Sequence, residues 1–233
     1  MKRKSNVLSI ICILNFLLLA LTSSGQSTCV RASYIDTWSY ATPQLYIFNG
    51  TQYARYDVKA NKFEGVNDIA KGYPAVPFSN FDAGYIDTWS YATPQLYIFN
   101  GTQYARYDVK ANKFEGVNDI AKGYPGVPFS KFDACYIDTW SYATPQLYIF
   151  NGTQYARYDV KANKYEGVND ISKGYPGVPF SKFDACYIDT WSYATPQLYI
   201  FNGSKYARYD VKANKFEGVN DISKGYPGVP FCN

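Results

Sequence analysis

The side chains of this sequence that could do chemistry are carboxylates and cysteines, because the chain contains no histidine. That absence excludes Ser-His-Asp and Cys-His nucleophiles and histidine-ligated zinc. Asp57 and Glu64, with their copies further along, could form a general acid/base pair. Solvation, or pairing with Arg55 and Lys59, is the simpler interpretation of these carboxylates. We therefore expect a protein that is not an enzyme.

The first 25 residues predict a secretory signal peptide. They have a basic start at residues 2–4, an apolar run over residues 7–21, and then the small residues Ser24 and Gly25. The run is shorter than the roughly 20 apolar residues of a membrane anchor. The sequence thus predicts a signal peptide over 1–25 and a secreted, extracellular chain over 26–233, without a membrane span.

The charge of the predicted mature chain is close to balanced. Removing the basic start leaves 20 Lys and Arg against 19 Asp and Glu. A nucleic-acid-binding protein would carry a surplus or a stripe of basic residues. We therefore expect no nucleic-acid partner, and the same balance argues against a polybasic membrane contact.

The elements that position these side chains follow from an internal repeat. The segment Tyr-Ile-Asp-Thr-Trp begins at Tyr34, Tyr85, Tyr136 and Tyr187, an ungapped period of 51 residues. Periods of this size are typical of solenoids and propellers. Solenoids normally carry divergent polar end repeats, whereas these four units are nearly identical. The repeat therefore favours a propeller.

Each unit contains enough strand signals for one propeller blade. In the first unit, two aromatic and β-branched runs flank Asn49-Gly50, the dipeptide that a type I′ hairpin prefers. A single helical turn is expected after Asn67-Asp68, before Pro74 and Pro77. Four strands are expected, at residues 32–40, 44–48, 52–58 and 61–66. The prediction is an all-β, four-bladed propeller with four antiparallel strands per blade and blades at about 30–80, 81–131, 132–182 and 183–233.

The four cysteines outside the signal peptide lie in an oxidising compartment if the chain is secreted. In the repeat frame Cys232 falls one position before the return of Cys29, so a closed ring brings the two together. We predict a ring-closing Cys29–Cys232 disulfide. Cys135 and Cys186 occupy equivalent positions in adjacent units, where a disulfide and two free buried thiols both remain open.

The repeat resembles the hemopexin-like family. The likeness is carried by "YIFNGTQYARYDVKANKFEGVNDIAKGYPGVPFSKFDA", in which a strand, a Gly turn, a Tyr-Ala-Arg-Tyr-Asp strand and a Pro-Gly-Val-Pro segment occur in the family's order. It extends over all four units. Ala54 and its copies stand where the family usually has Trp. The resemblance implies the same secreted four-bladed propeller, and a disulfide between the first and last blades is usual in that family.

The resemblance also implies an axial channel in which backbone carbonyls hold a cation, with a second ion two residues further along the inner strands. The ion would be calcium, or sodium or chloride, and waters would complete a calcium shell. Capping of strand ends is the alternative role for the aspartates concerned. Haem binding is not expected, because hemopexin itself uses histidines. Carried over residue by residue, the first ring is Arg31, Asp82, Asp133 and Asp184, and the second is Ser33, Gly84, Cys135 and Cys186.

The hairpin turns predict glycosylation sites, and the aromatic residues are predicted to lie mostly in the core. Each turn matches an N-glycosylation sequon, at Asn49, Asn100, Asn151 and Asn202; the same residues also suit the turn itself. The tryptophans at 38, 89, 140 and 191 are predicted to be core residues. Tyr56 and its copies are assigned to the core, with an outer contact face as the alternative.

The sequence therefore predicts a secreted, non-enzymatic, hemopexin-like binding module for an extracellular protein or a matrix ligand. The alternative is a tyrosine-rich structural or adhesive glycoprotein that self-associates. A carrier of haem or of another small ligand is the third hypothesis.

Overall fold

The computed structural model describes residues 29–232 and, at Cys232, only the backbone. The predicted signal peptide over 1–25 lies outside the described residues. The described chain forms four four-stranded antiparallel sheets in which the strands pair in sequence order. In each sheet the first strand is innermost and contacts the first strands of the two neighbouring sheets. The predicted all-β, four-bladed propeller is confirmed.

The blades repeat one pattern of four strands and a short helix. Blade 1 contains β1 (Ala32–Asp36), β2 (Gln44–Asn49), β3 (Gln52–Asp57), β4 (Lys62–Asp68) and α1 (Ile69–Gly72). Blade 2 contains β5 (Ala83–Asp87), β6 (Gln95–Asn100), β7 (Gln103–Asp108), β8 (Lys113–Asp119) and α2 (Ile120–Gly123). Blade 3 contains β9 (Ala134–Asp138), β10 (Gln146–Asn151), β11 (Gln154–Asp159), β12 (Lys164–Asp170) and α3 (Ile171–Gly174). Blade 4 contains β13 (Ala185–Asp189), β14 (Gln197–Asn202), β15 (Lys205–Asp210), β16 (Lys215–Asp221) and α4 (Ile222–Gly225), followed by a 3₁₀ helix (Pro230–Cys232).

The central hairpin of each blade turns one residue later than predicted. Asn49 pairs with Gln52, so the two-residue loop is Gly50-Thr51. Only Gly50 has a positive φ, of 56°, whereas a type I′ turn needs two such residues. Glycine first with a single positive φ is the pattern of a type II′ turn. The hairpin is confirmed and the predicted turn type is wrong.

The core consists of four clusters, each between two neighbouring blades. One cluster joins Phe48 and Tyr73 of blade 1 to Leu96 and Tyr107 of blade 2. The same arrangement joins blades 2 and 3, and blades 3 and 4. Because each sheet buries one face against the next blade, no blade has a core of its own.

The ring closes through the fourth cluster, which joins blade 4 to blade 1. The rings of Tyr226 and Tyr56 meet edge to face with centroids 5.5 Å apart, close to the 5.4 Å between Tyr124 and Tyr158 inside the ring. Non-covalent packing therefore closes the ring with the contacts that join the other blades.

The predicted Cys29–Cys232 disulfide depends on a side chain outside the described residues. Cys29 is buried in the closing cluster, and no disulfide joins any two of the described cysteine side chains, Cys29, Cys135 and Cys186. The closing bond stays a prediction. None of the helices within residues 29–232 is long and apolar enough to cross a membrane.

Candidate binding face and axial channel

One end of the propeller exposes a ring of aromatic side chains. The inner strands of all four blades run toward this end, where the loops after them and the turns after each blade's third strand gather. The four tryptophans are between 59% and 63% exposed, and the neighbouring tyrosines are 41% or 42% exposed. We call this surface the aromatic face; its members are Trp38, Tyr40, Trp89, Tyr91, Trp140, Tyr142, Trp191 and Tyr193.

The prediction that these tryptophans are core residues is wrong. β1 ends at Asp36, and Trp38 lies in the loop after it rather than in a strand. The composition of residues 37–43, rich in Ser and Thr and ending in Pro, is typical of a loop and is the sequence signal that could have placed Trp38 outside the core. The core assignment of Tyr56 and its copies is confirmed, since Tyr56, Tyr107, Tyr158 and Tyr209 are each 2% exposed.

A buried carboxylate holds the start of each aromatic loop. Asp87 is fully buried, and its Oδ1 accepts hydrogen bonds from the backbone N–H of Trp89, at 2.8 Å, and of Ser90, at 3.0 Å. This is the side-chain-to-backbone pattern of an Asx turn. These aspartates were not among the predicted site residues, and they fix the direction in which the chain leaves the inner strand.

A second carboxylate holds the end of the loop. Thr93 donates its hydroxyl to Asp108 at 2.7 Å, and the backbone N–H of Ala111 donates to the same carboxyl group at 2.7 Å. The Ala111 and Thr93 bonds lower the pKa of Asp108. The N–H of Val109 also donates to the carbonyl of Pro94 at 3.1 Å. The loop is therefore tied at both ends and to the adjacent turn.

The tyrosines of the aromatic face are held by arginines. Arg106 donates to the Tyr91 hydroxyl at 3.0 Å, and its guanidinium carbon lies 5.0 Å from the centre of the Tyr91 ring. The Tyr91 hydroxyl also lies 3.1 Å from that of Tyr97. Equivalent cation–π contacts occur in the other three blades. The tyrosines are thus fixed in place beside the exposed tryptophans.

A groove crosses the junction between blades 3 and 4 on this face. It is lined by Trp140 and Ser141 of blade 3 and by Pro196, Val211 and Lys212 of blade 4, with a volume of about 410 Å³. That volume falls within the roughly 300–1,000 Å³ of small-ligand sites. The groove combines an indole wall, two aliphatic residues and an ammonium group.

The axial channel is narrow and carries the predicted second ring. Ser33, Gly84, Cys135 and Cys186 line a cavity of about 100 Å³, and the threonines after the inner strands line it as well. Burial raises the pKa of both Cys135 and Cys186, and the neighbouring Cys135 raises that of Cys186 further. The structure brings these two thiols together without a bond between them.

The predicted first ring lies at the end of the channel opposite the aromatic face. Arg31, Asp82, Asp133 and Asp184 line a cavity of about 290 Å³ together with Lys131 and Lys182.

Each aspartate of this ring already has partners for its carboxylate. Asp133 accepts the N–H of Gly152 at 2.8 Å and lies 3.2 Å from the Lys131 ammonium; Asp82 and Asp184 hold Gly101 and Gly203 in the same way. Across residues 29–232, no three Asp, Glu or Cys side chains converge as a metal site. An ion there would have to be held by backbone carbonyls.

The predicted glycosylation sites lie on the hairpin turns at the same end. Asn49, Asn100, Asn151 and Asn202 each end the second strand of a blade. Asn100 donates its side-chain amide to the carbonyl of Asn80 at 2.9 Å, and Asn151 and Asn202 donate to the equivalent carbonyls of Lys131 and Lys182. These residues are distant from the aromatic face, so glycans on them would leave that face open.

Solved structures share this architecture. A hemopexin-fold protein, CP4, from cow pea superposes with a TM-score of 0.70 over 86% of this chain and 96% of its own, at 21% identity. This chain has the four-bladed hemopexin fold. The predicted resemblance is confirmed at the level of the fold. A second hemopexin-fold neighbour, described as a plant lectin with two metal binding sites from Cicer arietinum, has a TM-score of 0.69 over 85% of this chain and 95% of its own, at 23% identity.

Curated relatives match over part of their length. Matrix metalloproteinase-21 of Xenopus laevis is 27% identical over 178 residues, which are 69% of this chain and 28% of that protein. This hemopexin-fold chain thus spans less than a third of that relative. No family model matches the sequence.

Proposed function

We propose that this chain is a secreted, non-enzymatic binding module that holds an extracellular protein or a matrix ligand on its aromatic face. The observation that carries the proposal is the fourfold set of exposed tryptophans on loops braced by buried carboxylates. Tryptophan is enriched among the residues that dominate binding energy at interfaces. Braced loops lose little conformational entropy on binding.

Fourfold repetition suits binding better than catalysis. An active site normally brings different residues together once, whereas these blades offer four equal sites on one rigid ring. Simultaneous use of several equal sites raises the overall affinity without any new contact. The description of the Cicer arietinum protein as a lectin supports a binding role for this fold.

The axial ion and the closing disulfide belong to the scaffold in this proposal. An ion held by the carbonyls of Arg31, Asp82, Asp133 and Asp184, with a second at Ser33, Gly84, Cys135 and Cys186, would join the four inner strands. A Cys29–Cys232 bond would fasten the last blade to the first. Calcium is the leading ion by the resemblance, and the two metal binding sites in the description of the lectin from Cicer arietinum support a metal ion in this fold.

The aromatic face also supports a second candidate, a structural or adhesive protein that assembles through this surface. Large exposed apolar patches mark interaction sites, including contacts with another copy. Sedimentation velocity over a hundredfold concentration range separates the two functions. Dimers or larger species that the tryptophan substitutions abolish would favour self-assembly.

Retention on extracellular matrix tests the proposed function. The secreted protein is applied to detergent-extracted matrix from the source tissue, and the bound fraction is measured by mass spectrometry. Replacing Trp38, Trp89, Trp140 and Trp191 by Ala should lower retention by about tenfold or more. The matched control replaces four exposed lysines at the opposite end, Lys71, Lys122, Lys173 and Lys224, by Ala, and should bind as the wild type does. Undiminished retention of the tryptophan variant would refute the proposal.

A further inference from the structure

The aromatic face carries four exposed lysine side chains, although the predicted mature chain is nearly neutral. The turn after the third strand of each blade carries one exposed lysine: Lys59, Lys110, Lys161 and Lys212. The salt bridges within residues 29–232 involve other lysines.

The carboxylates near this face accept hydrogen bonds from their own loops. Asp87 and its equivalents are buried and accept loop N–H groups, and Asp108 accepts the Thr93 hydroxyl and the Ala111 N–H. Among the charged side chains of these turns, the lysines are therefore exposed and free of salt bridges within residues 29–232, whereas the aspartates are engaged by their own loops.

The groove places this charge next to an indole. Trp140 forms one wall, and Pro196, Val211 and Lys212 form the other. A ligand that fits both walls needs a flat face of C–H groups and an anionic substituent at its edge. A pyranose ring that bears a carboxylate or a sulfate has both, since its C–H face packs against the negative face of an indole and its acid group meets the ammonium. An acidic peptide lacks the flat ring, and a lipid surface cannot enter a groove between two blades.

We infer that the aromatic face binds an anionic polysaccharide, with one acidic sugar unit in each groove between blades; this inference rests on the proposed function. The repeat supplies the same residue types at the other three junctions, with Lys59, Lys110 and Lys161 in the place of Lys212. A polymer that repeats its acidic unit matches a ring that repeats its binding site. Several junctions engaged by one chain bind with an avidity that no single groove provides.

Affinity electrophoresis and calorimetry of the full secreted protein test this inference. The probes are polygalacturonic acid with its fully methyl-esterified form, dextran sulfate with unmodified dextran, and vesicles of phosphatidylcholine with phosphatidylserine. At least one acidic polymer should bind and its uncharged partner should not. Which acidic polymer binds identifies the acid as carboxylate or sulfate. Raising NaCl from about 50 mM to about 200 mM should weaken the binding.

Two variants on the aromatic face and one control complete the test. Replacing the four tryptophans by Ala, or Lys59, Lys110, Lys161 and Lys212 by Ala, should each weaken binding by about tenfold or more. The control at Lys71, Lys122, Lys173 and Lys224 changes the net charge equally and should bind as the wild type does.

Several results would overturn the inference. The uncharged polymers could bind as tightly as the acidic ones, or the control variant at Lys71, Lys122, Lys173 and Lys224 could lose as much affinity as the aromatic-face variants. The protein could also bind only the vesicles, or neither acidic polymer.

If neither acidic polymer bound but matrix retention still required the tryptophans, the proposed function would stand and only the ligand class would be wrong. Retention that ignored the tryptophans would remove the proposed function itself.

Discussion

Cys135 and Cys186 show how strongly burial controls a reactive side chain in this protein. Both thiols face the axial channel and are 1% exposed. Burial raises the pKa values of both thiols above the ordinary value of a cysteine, so the nucleophilic thiolate is scarce at neutral pH. The two residues are therefore inert as long as the ring is intact.

Thiol labelling checks this expectation. Ellman's reagent at pH 8 should leave Cys135 and Cys186 unmodified in the native protein and modify both in guanidinium chloride. The Cys186→Ser variant is the control, because it should lose one thiol from the denatured count and none from the native count. If neither residue reacts after denaturation without a reductant, the two are bridged and the free-thiol arrangement is wrong.

The aspartates show that residue type alone did not predict which carboxylates are buried. Asp36 and Asp57 have the same side chain, but Asp36 is 1% exposed and Asp57 is half-buried. The difference arises because Asp36 ends an inner strand beside the channel, while Asp57 ends a strand further from the axis. Residue type and spacing give a candidate list, and only the tertiary position separates a buried brace from a surface charge.

At the scale of elements, the short helix of each blade depends on one close contact. A Cβ placed on Gly123 would lie 2.4 Å from the Tyr104 ring and 2.5 Å from its hydroxyl. The ring cannot easily move aside, because it packs against Phe99 and Tyr124 with centroids 5.8 Å and 5.4 Å away. Glycine is thus required here for space, and its φ is not in the left-handed region.

Gly123→Ala should consequently destabilise the protein. Alanine would normally favour a helix by up to about 1 kcal/mol, but overpacking costs about 1–3 kcal/mol, so the clash should decide the sign. Urea unfolding of the variant measures the change in the free energy of unfolding. In a Tyr104→Ala background the same substitution should be neutral or stabilising, and an equal loss in both backgrounds would show that the clash is not the cause.

The loop brace at Asp108 predicts a pH dependence. Its pKa is lowered in the folded state, so its contribution is present above the unfolded-state value of about 3.9 and is lost as pH falls through the folded value. Asp108→Asn should therefore cost about 1 kcal/mol at pH 7, and this difference should shrink at pH 3. Urea unfolding at both pH values measures the difference in the free energy of unfolding between wild type and variant. A difference that does not change with pH would contradict the role of the Asp108 charge.

The strands and their order followed from the repeat, whereas the loops did not. Aromatic and β-branched runs on either side of Asn49-Gly50 identified the hairpin of β2 and β3. The turn was displaced by one residue because Gly50 suits either turn type, and the register is decided by cross-strand packing. Trp38 was misplaced because a large aromatic next to a strand normally belongs to the core.

The buried tyrosines make the stability of the whole propeller depend on pH in the alkaline range. Tyr85, Tyr124, Tyr136 and Tyr175 are buried, and desolvation raises their pKa values well above 10.0. The folded state therefore holds protons that the unfolded state releases, so stability is fully present below about pH 10 and falls as pH rises above it.

The alkaline transition should be cooperative. Absorbance near 295 nm should show the exposed tyrosines ionising first and the buried set ionising together with the loss of near-ultraviolet circular dichroism. The Tyr124→Phe variant should retain more of its stability above pH 10 than the wild type does. A single smooth ionisation with an intact circular dichroism spectrum would contradict the burial argument.

Closure of the ring combines packing with the predicted disulfide. Cys29→Ser should lower stability by about 2–5 kcal/mol if Cys29 is bonded to Cys232, while the propeller stays folded because Tyr226 still packs on Tyr56. Thermal unfolding and the intact mass of the reduced and non-reduced protein measure both effects. An unchanged melting temperature, with both thiols free in the secreted protein, would reject the bond.

The four junctions between blades are nearly interchangeable, so one repeat contains both halves of a complete junction. A molecule that lost one repeat would present two surfaces that a repeat from another molecule fits. A free 51-residue unit would likewise find its complement only in further copies of itself, and a head-to-tail arrangement of four would close. Covalent linkage of the four units in one chain makes that assembly independent of concentration, and it makes the number of repeats in the gene, rather than mass action, set the size of the ring.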